Sequence, residues 1–154
     1  DIGVSNKEAK HYIESYLAHY SGVDSYMKNV VEKANADGYV ETMFGRRRNL
    51  PELTSSKHMI RAFGERVARN MPIQGTAADI IKIAMIKVDE RMKAENLRAR
   101  LVLQVHDELI VEAPQDESMR VALIVQEEME NAVKMSVPLT ADAAIGRTWY
   151  DAKG

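Results

Sequence analysis

His106, Asp107 and Glu108 set an imidazole and two carboxylates in consecutive positions of LVLQVHDELIVEAP, the stretch from Leu101 to Pro114. Paired carboxylates are hard oxygen donors, and beside a turn they can seat a divalent cation. Gln104 adds an amide just before them. The remaining chemistry is cationic and amide-bearing. Arg46, Arg47 and Arg48 are consecutive and form the densest positive charge in the chain. Arg66, Asn70 and Gln74 recur every fourth residue. On one continuous helix that spacing stacks a cation and two amides along a face. Arginine grips phosphate with parallel donors, and Asn or Gln can pair with acceptors on bases or sugars.

Each group also has a plainer reading. An arginine triplet on a strand sends its charges to both sides, so a solvated face and a phosphate clamp both stay open. The Arg66 row would look the same on any polar surface helix. His11, His19 and His58 could complete a phosphohydrolase metal set with the His-Asp pair. Such sites usually carry that pair on helices, however, and here it lies in a strand turn. A surface or helix-packing role is the default for the three histidines.

The elements that must position these groups follow from periodicity. Leu101, Leu103 and Val105 alternate with Val102, Gln104 and His106, and Leu109, Val111 and Ala113 alternate with Ile110 and Glu112, which predicts a tight hairpin with the acids at or beside its bend. Ser5 and Glu8 have capping-box spacing before a helix that carries Ala9, Tyr12, Ile13, Tyr16, Leu17 and Tyr20 and ends near Ser21-Gly22. These tyrosines read as core or interface residues rather than as a base-stacking platform, since nothing basic interleaves with them. A second helix carries Val23 to Ala34 on its apolar positions and stops at Asp37-Gly38.

Tyr39 to Met43 reads as a strand, Phe44-Gly45 as a turn, and Arg46 to Pro51 as a return strand or arm. Between Ser55 and Asn96 two helices are expected, parted at Met71-Pro72-Ile73-Gln74-Gly75 because proline lacks a donor. Ile60, Phe63 and Val67 would face inward on the first, and Ile80, Ile81, Ala84, Met85 and Val88 on the second. Asp116-Glu117 opens a helix apolar enough to pack on a sheet, and Val137 to Ala144 reads as a final strand. The expected fold class is α+β: an antiparallel sheet with a central hairpin, packed with several long helices. Without repeats or a linker, residues 1–154 form one unit.

Composition bounds what this unit can be. With 154 residues, 45% of them hydrophobic and 29% charged, the chain can bury one ordinary core. A net charge of -2 assigns any nucleic-acid contact to local clusters rather than to an overall basic field. There is no cysteine, which excludes disulfides and thiolate metal sites within the chain. No signal peptide or membrane span is apparent, so a cytoplasmic location is expected. The first residue is Asp1 rather than methionine, which suggests a fragment of something larger.

QVHDE at Gln104 to Glu108, RNMPIQGTAADIIKIAM at Arg69 to Met85 and GYVETMFGRRRNLP at Gly38 to Pro51 together resemble the C-terminal part of bacterial family A DNA polymerases, the DNA polymerase I type. The likeness runs over essentially the whole chain, with its blocks in order. It implies the palm and part of the fingers of a right-handed polymerase, acting on primer-template DNA and deoxynucleoside triphosphates with two magnesium ions. Asp107 matches the family's metal-ligating aspartate in this hairpin, and Glu108 the neighbouring acid. Gln104 and His106 match residues near the primer end. Arg66, Asn70 and Gln74 match a helix along the template and minor groove. The family's other metal-ligating aspartate and its nucleotide-gripping helix lie upstream and have no counterpart here. The implied chain therefore holds half a metal cradle, needs its upstream half, exposes an apolar strand edge, and is inactive by itself.

Overall fold

The computed structural model describes residues 3–153. Asp1, where the expected truncation falls, lies outside them. The chain divides into two compact units, Asp1–Gly75 and Thr76–Gly154. Each has its own apolar core.

In the first unit α1, Asn6–His19, begins at the expected capping box. The Ser5 backbone N–H donates to Glu8 at 2.9 Å, and the Glu8 N–H donates back to Ser5 Oγ at 3.3 Å. The bonds from the Ser5 hydroxyl and then its backbone hold the Glu8 carboxyl below the usual carboxylate range. The second helix, α2, spans Ser21–Asp37 and stops at Gly38, as its apolar spacing predicts. A two-stranded antiparallel hairpin follows, β1 (Tyr39–Glu41) and β2 (Arg47–Asn49). Its loop is tied at Thr42, whose buried hydroxyl accepts from the N–H groups of Phe44 and Arg46 at 3.3 and 3.2 Å.

The core of this unit gathers Ala34 from α2, Val40 from β1, Leu50, Leu53 from the 3₁₀ turn Pro51–Thr54, and Ala68. The tyrosines of α1 stay outside it, with Tyr12, Tyr16 and Tyr20 at 62%, 55% and 50% exposure. The core half of their expected role is therefore corrected for these described residues.

One long helix, α3 (His58–Ala94), replaces the two expected between Ser55 and Asn96. Pro72 lies inside it. A proline there leaves the Ala68 carbonyl without its usual donor, at a cost of about 3 kcal/mol. That cost is offset by apolar burial on both sides of the proline, at Val67, Ala68 and Met71 before it and Ile81, Ala84 and Val88 after it. Of the expected inward face Val67 packs against the core, but the rest differs. Ile60 and Phe63 are 40% and 45% exposed, whereas Gly64 and Ala68 are buried. The cause is the 3₁₀ turn, since a Cβ on Gly64 would lie only 3.0 Å from Glu52 Cβ.

In the second unit, α3 presents Ile81, Ala84, Val88 and Met92 as its buried stripe, close to the expected one. Asn96, at φ 54, ends the helix in the left-handed region, with its own N–H on the Lys93 carbonyl and that of Leu97 on Met92. This is a Schellman closure. β3 (Arg100–Val105) and β4 (Glu108–Glu112) then pair antiparallel, and α4 (Ser118–Glu130) packs on them. Their common core is Val88, Met92, Ala99, Val121 and Ile124, with Leu101, Leu109 and Val111 packed against it.

Charged groups fasten α4 to α3. Lys87 Nζ donates to the carbonyls of Asn131 and Ala132 at 2.7 and 3.0 Å. Arg91 reaches Glu127 at 2.7 Å and Glu128 at 2.8 Å.

The α+β class is as expected, but the strands form two separate two-stranded sheets rather than one around a central hairpin. No strand forms over residues 137–144. Pro138 has no N–H to give a ladder, and the N–H of Ala141 donates instead to the Glu130 carboxylate at 3.1 Å. The chain closes with a short helix absent from the expected elements, α5 (Trp149–Ala152), capped reciprocally by Thr148 and Asp151.

Candidate active site

The hairpin places its polar triplet at the bend, as expected. Val105 pairs with Glu108, so His106 and Asp107 are the two loop residues and Glu108 opens β4. Such a two-residue loop needs positive φ at its first position, and His106 supplies it at φ 52. A side chain held there is strained, and histidine tolerates the region better than most. The Gln104 amide helps to hold it, donating through Nε2 to the His106 carbonyl at 2.5 Å. The result is a stiff turn that offers the Asp107 carboxylate to solvent, with no ion pair or hydrogen bond among the described residues.

Strict alternation is broken below the bend. The register shifts between Leu101 and Leu103, a bulge at Val102 that spacing alone does not reveal. Leu101 therefore packs on the core while Leu103, expected on the same face, is 48% exposed, next to Val102 at 52%. Among the described residues the hairpin pairs with no further strand. The hairpin thus leaves apolar side chains of β3 exposed at Val102 and Leu103.

Glu108 is held differently from Asp107. One oxygen, Oε1, lies 3.5 Å from Lys153 Nζ, and the other, Oε2, is buried without a hydrogen-bond partner. Sequence reasoning misses this contact of Lys153, because no local spacing links it to the start of β4.

The cationic groups divide by partner. Arg47 is engaged by its own hairpin: its Nε lies 3.2 Å from Glu41 Oε2 and its guanidinium 4.4 Å over the Tyr39 ring. Arg46 and Arg48 are exposed, and Arg48 makes no ion pair among the described residues. Arg66, Asn70 and Gln74 all lie exposed on the single helix α3, so the row that required helical continuity exists. Arg66 rests 5.9 Å from the Phe63 ring centre. The row belongs to the first unit and the acidic hairpin to the second. Among the described residues, His11, His19 and His58 join no group of three that could hold a metal ion.

Among the described residues, no group of three His, Asp or Glu side chains could hold a metal ion. Asp107 fits a magnesium site as a contributor, because that ion takes one or two carboxylates and fills its remaining positions with water and substrate phosphates. The donor set here is partial. No described helix is long and apolar enough to cross a membrane.

Fold and hairpin together are those of a polymerase domain. The solved POL domain of Pol1 from M. smegmatis, in complex with DNA primer-template and dNTP, superposes with a TM-score of 0.93 at 47% identity, covering 98% of this chain and 27% of that one. The model of DNA polymerase family A matches residues 1–151, and the chain belongs to that family. It is 53% identical to DNA polymerase I of Bacillus caldotenax and 52% to that of Geobacillus stearothermophilus, over 99% of this chain and 17% and 18% of theirs. The Bacillus subtilis DNA polymerase I is 51% identical over 99% of the chain. The chain spans less than a fifth of the length of these curated relatives.

Proposed function

We propose that the chain is the C-terminal palm and part of the fingers of a bacterial DNA-directed DNA polymerase, working in the cytoplasm jointly with an upstream half of the same protein. The observation that carries this reading is the stiff acidic turn. Asp107 is presented free on a strained two-residue loop, pinned by Gln104 and adjoined by Glu108. Residues held this way stand ready to bind a cation without rearranging. When bound, a magnesium pair makes the primer 3′-hydroxyl a better nucleophile and steadies the triphosphate and its departing pyrophosphate.

The chain's own residues do the positioning. Asp107 supplies a metal-binding carboxylate, and Glu108 stands beside it as the less direct acid. His106 and Gln104 lie by the primer end. Arg66, Asn70 and Gln74 follow the template and minor groove, while Arg46, Arg47 and Arg48 serve the phosphate backbone, with Arg47 partly committed to Glu41. The deoxynucleoside triphosphate and the second metal-binding aspartate come through the upstream half.

A second reading has one observation in its favour. Arg66, Asn70 and Gln74 lie exposed on one continuous helix, a row that suits holding primer-template DNA without turnover. Primer extension with magnesium separates the two, using this chain alone, the chain with its upstream half, and that pair carrying Asp107→Ala. Extension only by the pair, reduced at least about a hundredfold by the substitution, is the expected result. Extension by the chain alone, or none by two folded halves, would overturn it.

A further inference from the structure

Outside the hairpin, a charged group of the described residues meets one of its acids, Glu108. Lys153 Nζ lies 3.5 Å from Glu108 Oε1 and 5.1 Å from the centre of the Trp149 ring. Its carrier is built rather than trailing. Thr148 caps α5 through a hydroxyl that accepts from the Asp151 N–H at 3.2 Å, while Asp151 accepts from the Thr148 N–H at 3.1 Å. Gly146 closes the approach: a Cβ there would lie 2.5 Å from Ala152 N, so only glycine lets the preceding chain pass against this turn.

The short capped helix thus sets the Lys153 backbone, and the indole face lies beside its ammonium where it meets the carboxylate. Glu108 is constrained from the other side by its backbone pairing with Val105 across the neck of the hairpin.

We propose that Lys153 is a positioning residue for nucleotidyl transfer: with Trp149 it braces the Glu108 carboxylate, and through Glu108 the turn that carries Asp107. This rests on the reading of function above. Lys153 and Glu108 side chains are 58% and 42% exposed, so the pair adds little to stability. Its effect is geometric. Without the ammonium, neither oxygen of the Glu108 carboxylate has a side-chain partner among the described residues, and the carboxylate plane is free to turn. The chain's end then supplies the orientation that an acid at the start of a strand cannot provide for itself.

The test uses the complete polymerase that carries this C-terminal segment, with primer-template DNA and magnesium. Lys153→Ala should lower kcat about fivefold, the scale of a single exposed ion pair, and leave the KM for nucleotide within about twofold. Lys153→Arg should recover most of the loss. In a cycle with Glu108→Gln, the double variant should be no slower than Glu108→Gln alone.

A second readout is independent of turnover. Trp149 is the single tryptophan of this chain. As 5-fluorotryptophan, assigned by Trp149→Phe, its ¹⁹F resonance should move on Glu108→Gln in the Lys153 protein and stay fixed in Lys153→Ala. Unchanged kcat in Lys153→Ala, additive losses in the cycle, or a Trp149 resonance indifferent to Glu108 would each overturn the brace while leaving the polymerase reading intact. No extension by the unsubstituted protein would overturn that reading first, and the brace with it.

Discussion

Gly75 and Thr42 pack so closely that a Cβ on Gly75 would lie 2.7 Å from Thr42 Cγ2. Thr42 cannot turn aside cheaply, because its Oγ1 accepts from the N–H groups of Phe44 and Arg46 at the hairpin loop. Alanine would gain about 1 kcal/mol of helix propensity at position 75. The clash outweighs it, and Gly75→Ala should destabilise the protein by about 1–3 kcal/mol. Thr42→Ser removes the methyl and keeps the hydroxyl. In its background Gly75→Ala should become neutral or stabilising, which chemical denaturation of the four proteins will show.

The Arg66 row makes a prediction about salt. If Arg66 contacts a phosphate, Arg66→Ala should weaken primer-template binding at every sequence and reduce the slope of log affinity against log salt by about one. Asn70→Ala and Gln74→Ala carry no charge change and should leave that slope alone. Fluorescence anisotropy across a salt series distinguishes them, and an unaltered slope for Arg66→Ala would remove that arginine from the phosphate path.

Acid should loosen α4 from α3. Glu95 is held below the usual carboxylate range chiefly by hydrogen bonds from Arg120, with Arg91 adding to it against the effect of burial. The Arg120 Nε–Glu95 distance is 2.6 Å. A carboxylate with a lowered folded pKa binds fewer protons than in the unfolded chain. Its stabilisation is therefore complete above the ordinary carboxylate range and is lost as pH falls from there through the lowered folded value. Thermal unfolding followed between about pH 6 and pH 3 should show a shallower decline in Glu95→Gln than in the parent protein. Parallel declines would show that Glu95 contributes nothing to acid lability.

Lys87 is a helix-end contact of a kind easily taken for surface charge. Its ammonium donates to the carbonyls of Asn131 and Ala132, just past the last turn of α4. Lys87→Met keeps the aliphatic stem and removes only the donor. It should cost about 1 kcal/mol, seen as a lower denaturation midpoint with an unchanged slope.

Local patterns decided much of this molecule without tertiary help. The Ser5–Glu8 box, the Asp37-Gly38 stop, the strand-turn-strand around Gly45 and the hairpin centred on His106-Asp107 are all short-range, since their donors and acceptors lie within a few residues. The acids, the arginine triplet and the every-fourth-residue row were legible for the same reason.

Tertiary packing decided the rest. Proline predicts a break or a kink at Met71-Pro72, and α3 does not break, because apolar burial on either side exceeds the loss of one hydrogen bond. Alternation put Leu101 and Leu103 on one face, and the bulge at Val102 separated them. Val137 to Ala144 has strand-like residues but pairs with no strand among the described residues, and strand preference is realised only against a neighbour. The meeting of Lys153 with Glu108 follows no periodicity, since it depends on where the capped turn at Thr148 leaves the end of the chain. Sequence determined which groups are present and how each is locally held; only the folded chain decided which distant groups meet, because that choice is made by burial and close packing rather than by spacing.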